Sequence, residues 1–277
     1  MADKNEKGFS LTDEHVEVLK SYSNIGRTNV NQSFVAIYDT KMKAISPTGV
    51  LSSIFNYPSI GLQTSIGLYD SSKFIKLVEG ADIQDVELVV DKNGLKIKNG
   101  RSKSRLSLVK FEEKETMDVE DTNKISHFTI SDEKFEVVKK RIEEGIDNQI
   151  AGFLLSSSDI KEIKKKQSIM KHDKFIISSV ADGVEVKIPD FTESDTNEFS
   201  SFIIEEGVTT NSLKNSIKFG FDVNLLVDDD YNVIVSDCGI CLSGVNHSTL
   251  FIGSSVITEE DEDEGEDVSN DEFESLD

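Results

Sequence analysis

Apolar and polar positions alternate along much of this chain with the period of two that marks half-buried strands. A few stretches switch to the three-to-four spacing of an amphipathic helix. Leu11, Val18, Leu19 and Tyr22 share one side of a helix running from Asp13 to about Ser23, for which Thr12 is a good N-cap. Ser33 to Tyr38 alternates as a strand, and Asp39-Thr40-Lys41 turns it into Met42 to Ser46. Val50 to Phe55 and Thr64 to Leu68 are further strands, and Ser71-Ser72 opens a helical turn from Lys73 to Glu79. Asp91-Lys92-Asn93-Gly94 marks a hairpin between Asp85 to Val90 and Leu95 to Lys98, after which Ser102 to Val109 closes the unit. The expectation is a mixed α+β chain in which strands outnumber helices.

The same succession occurs twice. Phe9 to Lys20 returns as Phe153 to Lys164, in both cases a short apolar strand running into a helix. Each copy continues with a strand pair (Ser33 to Ile45, Lys174 to Ile188), another strand, a short helix opened by Asp70 or Asp222, and a strand series (Val86 to Val109, Asn232 to Ser254). Self-similar units point to two domains of one fold, an organisation suited to symmetric assembly. The predicted boundaries are a short N-terminal tail over 1–8, domains over 9–110 and 151–257, a connector over 111–150 and a tail over 258–277. Phe128 to Glu133 imitates the opening of a unit. Spacing excludes it: 65 residues separate Phe9 from Phe74 and 71 separate Phe153 from the matching Asn224, whereas 96 would separate Phe128 from Asn224. Asp132 to Glu144, with Phe135, Val138 and Ile142 at helical spacing, is therefore read as a helix inserted in the connector.

A net charge of −22 argues against a nucleic-acid partner until its distribution is considered. Glu259 to Asp277 holds 12 acidic residues and no basic one, which predicts a self-repelling disordered tail. The remainder carries 40 acidic against 30 basic residues and has room for a local basic surface. No apolar run approaches the roughly 20 residues of a membrane span, and the first residues have no signal-peptide character. A soluble cytoplasmic protein is expected, in the host cytoplasm if the gene belongs to a phage.

Enzyme signatures are sparse. There is no Gly-rich phosphate loop, no zinc-binding His-Glu-x-x-His helix and no nucleophile elbow, and His15, His127, His172 and His247 are scattered. Cys238-Gly239-Ile240-Cys241 has the spacing of a redox pair, but the flanking residues read as a hairpin between two strands. No catalytic residue, metal or cofactor is assigned.

The helix from Ser158 to Met170 is the most basic segment. Ile160, Ile163 and Met170 lie within one arc, while Lys161 and Lys165 project from the opposite side at about 100° per residue. Lys161, Lys164, Lys165, Lys166 and Lys171 stand against only Asp159 and Glu162. Such lysines meet phosphates without reading bases; the alternative is an ordinary solvated face. Lys73, Lys76, Lys20 and Arg27 are further candidates for a DNA-facing surface, although Lys20 shares its face with Asp13 and Glu17.

Leu19 to Ile25, Ile66 to Asp70 leading into Phe74 to Val78, Gly94 to Lys98 and Arg101-Ser102-Lys103 together carry a family resemblance. The chain resembles the sliding clamps of DNA replication, most of all the bacteriophage T4-type polymerase accessory clamp. The second half resembles the clamp's second domain through its order of elements and Asp222 to Leu226. The resemblance implies a DNA-clamp fold of two similar domains, sheets outside and two helices inside each. It also implies a homotrimeric ring encircling double-stranded DNA, a replicative polymerase tethered to it, a clamp-loader ATPase, and in some phages late transcription factors. The inserted helix, the acidic tail and a last inner helix without a basic residue depart from the family pattern.

By the same resemblance the closing strand of one subunit, with Ser104, Leu106 and Leu108, pairs with Phe199, Ser201 and Ile203 of the next. The alternative for either strand is ordinary intramolecular pairing. Ile45, Pro47, Phe111 and Ile252 are candidates for a partner-peptide pocket near the connector. The competing readings are an acidic oligomeric phage scaffold or virion protein with duplicated β-rich domains and, more remotely, a thiol oxidoreductase built on Cys238 and Cys241.

Overall fold

A computed structural model describes residues 8–25, 35–46, 51–68, 70–79, 82–109, 139–142, 144, 151–172, 174–189, 199–208, 210–211 and 216–255. The first half runs β1 (Gly8–Phe9), α1 (Asp13–Ile25), β2 (Val35–Ile37), β3 (Lys41–Ile45), β4 (Leu51–Asn56), β5 (Ile66–Leu68), α2 (Ser71–Val78), β6 (Glu87–Asp91), β7 (Gly94–Asn99), β8 (Ser102–Leu106) and β9 (Leu108–Val109). The second half runs β10 (Ala151–Leu155), α3 (Ser157–Met170), β11 (Lys174–Val180), β12 (Gly183–Pro189), β13 (Phe199–Ile204), β14 (Thr210–Asn211), β15 (Ile217–Gly220), a 3-10 turn (Val223–Leu225), β16 (Tyr231–Ser236), β17 (Gly239–Gly244) and β18 (Thr249–Ser254).

Among the described residues, three antiparallel sheets result. Two have four strands, in the orders β1-β6-β7-β8 and β13-β12-β11-β15. The third has ten, β14-β10-β16-β17-β18-β4-β3-β2-β5-β9, and unites the halves where β18 pairs with β4. Cross-strand neighbours share a face. At this seam Ser53 and Phe251 therefore point to one side, and Ile54, Leu250, Ser52 and Ile252 to the other. The helices cover the first side: the Tyr22 hydroxyl on α1 lies 2.6 Å from Ser53 Oγ, and its ring meets Phe251 edge-on.

Local chemistry explains the helix starts. Thr12 Oγ1 receives the His15 N–H, and Asp70 caps α2 by accepting the Lys73 N–H. At α3, Ser156 and Asp159 form a reciprocal capping box, and Lys171 ends the helix in the left-handed conformation. The expected helix Asp222 to Val227 is only one 3-10 turn. Its aspartate cap accepts the Asn224 N–H, one residue sooner than the cap of α2. The chain is then drawn away by Asp229, a buried carboxylate that binds the backbone N–H groups of Asn246 and His247. The closing strand breaks at Ser107, passing from a four-stranded sheet in β8 to the ten-stranded sheet in β9. Of the inserted helix, 139–142 and 144 are helical, and its beginning lies outside the described residues. Ile142 is fully buried against Ile54, Cys241 and Ile252 on the side of the seam opposite α1.

The duplication extends to single residues. Gly94 and Gly239 open β7 and β17, and a Cβ would lie 2.1 Å from the Leu106 carbonyl oxygen in one case and 2.4 Å from that of Gly253 in the other. Leu106 therefore corresponds to Gly253. Likewise Met42 and Val184 follow equivalent hairpins and pair with Phe55 and Ile204, which makes Phe55 the counterpart of Ile204.

Candidate nucleic-acid and self-assembly surfaces

The helices form one layer. α1 packs against α2 on one flank and against the 3-10 turn on the other, and α3 packs against that turn, giving the order α2, α1, turn, α3. α1 buries Val18, Leu19, Tyr22 and Ile25 and exposes Asp13, Glu14, Glu17 and Lys20. α3 buries Ile160, Ile163 and Gln167 and exposes Lys161 and Lys165, with Lys171 exposed at its end. Lys73 and Lys76 are exposed on α2, Lys73 within 3.3 Å of Asp70. Basic charge is thus placed at the two ends of the layer and acidic charge in its middle.

Two lysines of α3 depart from the expected outward stripe. Lys164 is half-buried, and Lys166 is turned to the sheet edge. The Lys166 ammonium donates to Ser200 Oγ at 2.8 Å, lies 3.3 Å from Glu162 and approaches the Phe202 ring at 6.0 Å. Its job in this chain is to hold β13 against α3. Lys20 is exposed but sits among carboxylates, and Arg27 lies outside the described residues.

Gln167 was missed as a functional position in the sequence. Its amide donates to the Phe221 carbonyl at 3.2 Å while its oxygen accepts the Val223 N–H at 3.2 Å, which fastens the 3-10 turn to α3. Its spacing from Ile160 and Ile163 is the signal in the sequence that could have placed it on the inner face. His15, one of the scattered histidines, is buried beside Tyr57 and Phe55. Thr12 N–H donates to its Nδ1, and burial lowers its pKa below the ordinary imidazole value.

Among the described residues, the two strands expected at the assembly edges are the ends of their sheets. β8 is the last strand of its sheet and presents Ser104 and Leu106; Leu108 has passed to β9, where it pairs with Leu68. β13 is the terminal strand of the other four-stranded sheet, and Phe199 and Ile203 on it are 52% and 48% exposed. For the pocket, Ile45 and Ile252 are both buried and lie on either side of Ser52 in one row across β3, β4 and β18, on the face that Ile142 covers in part. Pro47 and Phe111 lie outside the described residues. Cys238 sits in the β16–β17 turn and Cys241 is buried on β17, the hairpin placement expected.

A duplicated unit, a shared ten-stranded sheet and a single helical layer have solved counterparts. PCNA from Thermococcus kodakaraensis superposes over 91% of this chain and 99% of its own, with a TM-score of 0.54 at 15% identity. A. fulgidus PCNA, solved with the C-terminal region of FEN-1, covers the same share of this chain and 98% of its own, with a TM-score of 0.57 at 14% identity. The chain has the sliding-clamp fold. Caulobacter crescentus pol III beta matches 93% of it with a TM-score of 0.60 at 9% identity, and there the clamp-fold chain described here spans 68% of the longer protein. No protein-family model and no curated protein matches the sequence. Among the described residues no helix of this clamp fold is long and apolar enough to cross a membrane.

Proposed function

We propose that this protein is a sliding clamp, a non-enzymatic ring that encircles double-stranded DNA and tethers a replicative polymerase. The observation that carries the reading is the helical layer of a clamp fold with Lys73, Lys76, Lys161 and Lys165 exposed on it. Lysines on helices bind phosphates irrespective of sequence, as a ring that moves along DNA requires. The free edges of β8 and β13 are the joints between copies, and three two-domain copies complete a homotrimer of the T4 type. Ile45 and Ile252 mark the surface on which partner peptides dock. An ATP-dependent loader opens the ring, and in a phage setting late transcription factors use the same face.

The test is retention on circular against linear DNA after loading with the cognate loader and ATP, in salt high enough to weaken simple phosphate contacts. Retention on circles with loss from free ends is expected. Equal loss from both, with an active loader, would leave the acidic oligomeric scaffold as the better account.

A further inference from the structure

The seam inside the chain is a template for the joint between chains, and it is built from the same parts. At the seam, Thr249 to Gly253 of β18 pair with Phe55 to Leu51 of β4. Their counterparts are Ser102 to Leu106 of β8 and Ile204 to Ser200 of β13, the two free edges. Transferring the register sets Ser102 opposite Ile204, Ser104 opposite Phe202 and Leu106 opposite Ser200 of the next copy. The faces agree without adjustment. Leu106, Phe202 and Ile204 all pack on the helix-side core, as Phe55 and Phe251 do at the seam.

The seam also sets the helices beside one another. There α1 meets the 3-10 turn, and the Ser21 hydroxyl donates to the Leu225 carbonyl. Counting from Phe9 and Phe153, the counterpart of Ser21 is Lys165. Counting from the capping aspartates Asp70 and Asp222, the counterpart of Leu225 is Lys73. The joint between copies therefore brings α3 of one copy beside α2 of the next, with Lys165 in the place of Ser21 and Lys73 in the place of Leu225.

We infer that the main phosphate-contacting site is composite. It is formed at each joint by Lys73 and Lys76 of one copy with Lys161 and Lys165 of its neighbour, and it is incomplete in a single chain. This rests on the ring reading and deepens it. Like charges brought together oppose closure, and the phosphodiester backbone of a duplex relieves that opposition. By linkage, whatever a closed joint adds to DNA affinity, DNA adds to joint strength. The seam, where α1 exposes Glu14 and Glu17 and the turn exposes Asn224, contributes no such site.

Mixing a chain carrying Arg105→Cys with one carrying Ser201→Cys tests this, because the transferred register sets these positions directly opposite. Oxidation should trap a head-to-tail dimer, absent when either variant is replaced by the unmodified chain. The trapped dimer should bind a duplex of about one helical turn at least tenfold more tightly per joint than the reduced, dissociated chains. Lys73→Glu with Lys76→Glu in one partner, or Lys161→Glu with Lys165→Glu in the other, should each abolish that gain, whereas Lys92→Glu in the β6–β7 turn should leave it intact. A trapped dimer with no gain, or a gain insensitive to Lys73 and Lys76, overturns the composite site while the ring stands. Failure to trap the dimer together with a monomeric native chain overturns the ring reading itself.

Discussion

Tyr22 and Lys166 occupy the same position in the two halves, and their difference follows whether the strand beneath them is paired on both sides within the described residues. Tyr22 is wholly buried on α1, its hydroxyl against Ser53, which donates in turn to the Leu250 carbonyl across the seam. Lys166 reaches Ser200 and Phe202 on β13, which is the last strand of its sheet among the described residues. The neighbouring pair behaves alike. Ile25 is buried at the end of α1, while its counterpart Ile169 is 65% exposed on α3. One order of elements occurs twice with its inward pattern retained, and the surface differs according to whether the adjoining strand is paired within the chain. A side chain completed within the chain can be aromatic and buried, whereas one at an open edge must remain compatible with water.

The comparison can be broken most forcefully by Tyr22→Lys, which places an uncompensated ammonium at the closed seam. A loss of about 3–5 kcal/mol is expected, enough to abolish a cooperative thermal transition. Gln167→Ala strips the partners from the buried Phe221 carbonyl and Val223 N–H and should cost about 2–4 kcal/mol by denaturant titration. Tyr22→Phe, which leaves Ser53 bonded to Leu250, should cost only about 1 kcal/mol. Lys161→Glu with Lys165→Glu should lower duplex affinity about ten- to a hundredfold at low salt and flatten the salt dependence by about two phosphate contacts, with the melting temperature nearly unchanged.

Acid should distinguish the halves more gently. His15 has a lowered folded pKa because burial disfavours its charged form, so its contribution is present above about pH 6.5 and is lost as pH falls through the folded value. At Asp229 burial alone would raise the pKa, but the N–H groups of His247, Asn246 and Asp230 outweigh it and hold the carboxyl below its ordinary value. Its contribution is lost only below about pH 4. Stability followed against pH should therefore decline in two stages, the first removed by His15→Gln and the second lessened by Asp229→Asn, because Asp39, Glu87 and Asp91 also have lowered pKa values and share the acid stage.

Much of this was readable beforehand because strands and helices declare themselves through local periodicity. Phe9 to Lys20 and Phe153 to Lys164 exposed the duplication, and Asp91 to Gly94 the hairpin, since each depends on neighbours in the chain. Lys166 was counted among the DNA-facing lysines, yet helical spacing sets it beside Ile163 and Met170 at the edge of the inward arc and names no partner for it. Its contact is with β13, more than thirty residues away. His15 followed the same logic in reverse: nothing near it in sequence announces Tyr57 and Phe55.

The amino-acid sequence by itself determined the repeated order of elements, the capped starts of the helices and the basic character of α3. These follow from capping, turn chemistry and side-chain periodicity, all of which act over a few residues. Only the tertiary structure decided that β18 joins β4, that α1 lies beside the 3-10 turn, and that β8 and β13 end their sheets among the described residues. Strand pairing is a backbone hydrogen-bond choice among many chemically similar edges, and it is settled by which faces can be buried together once the whole chain has packed.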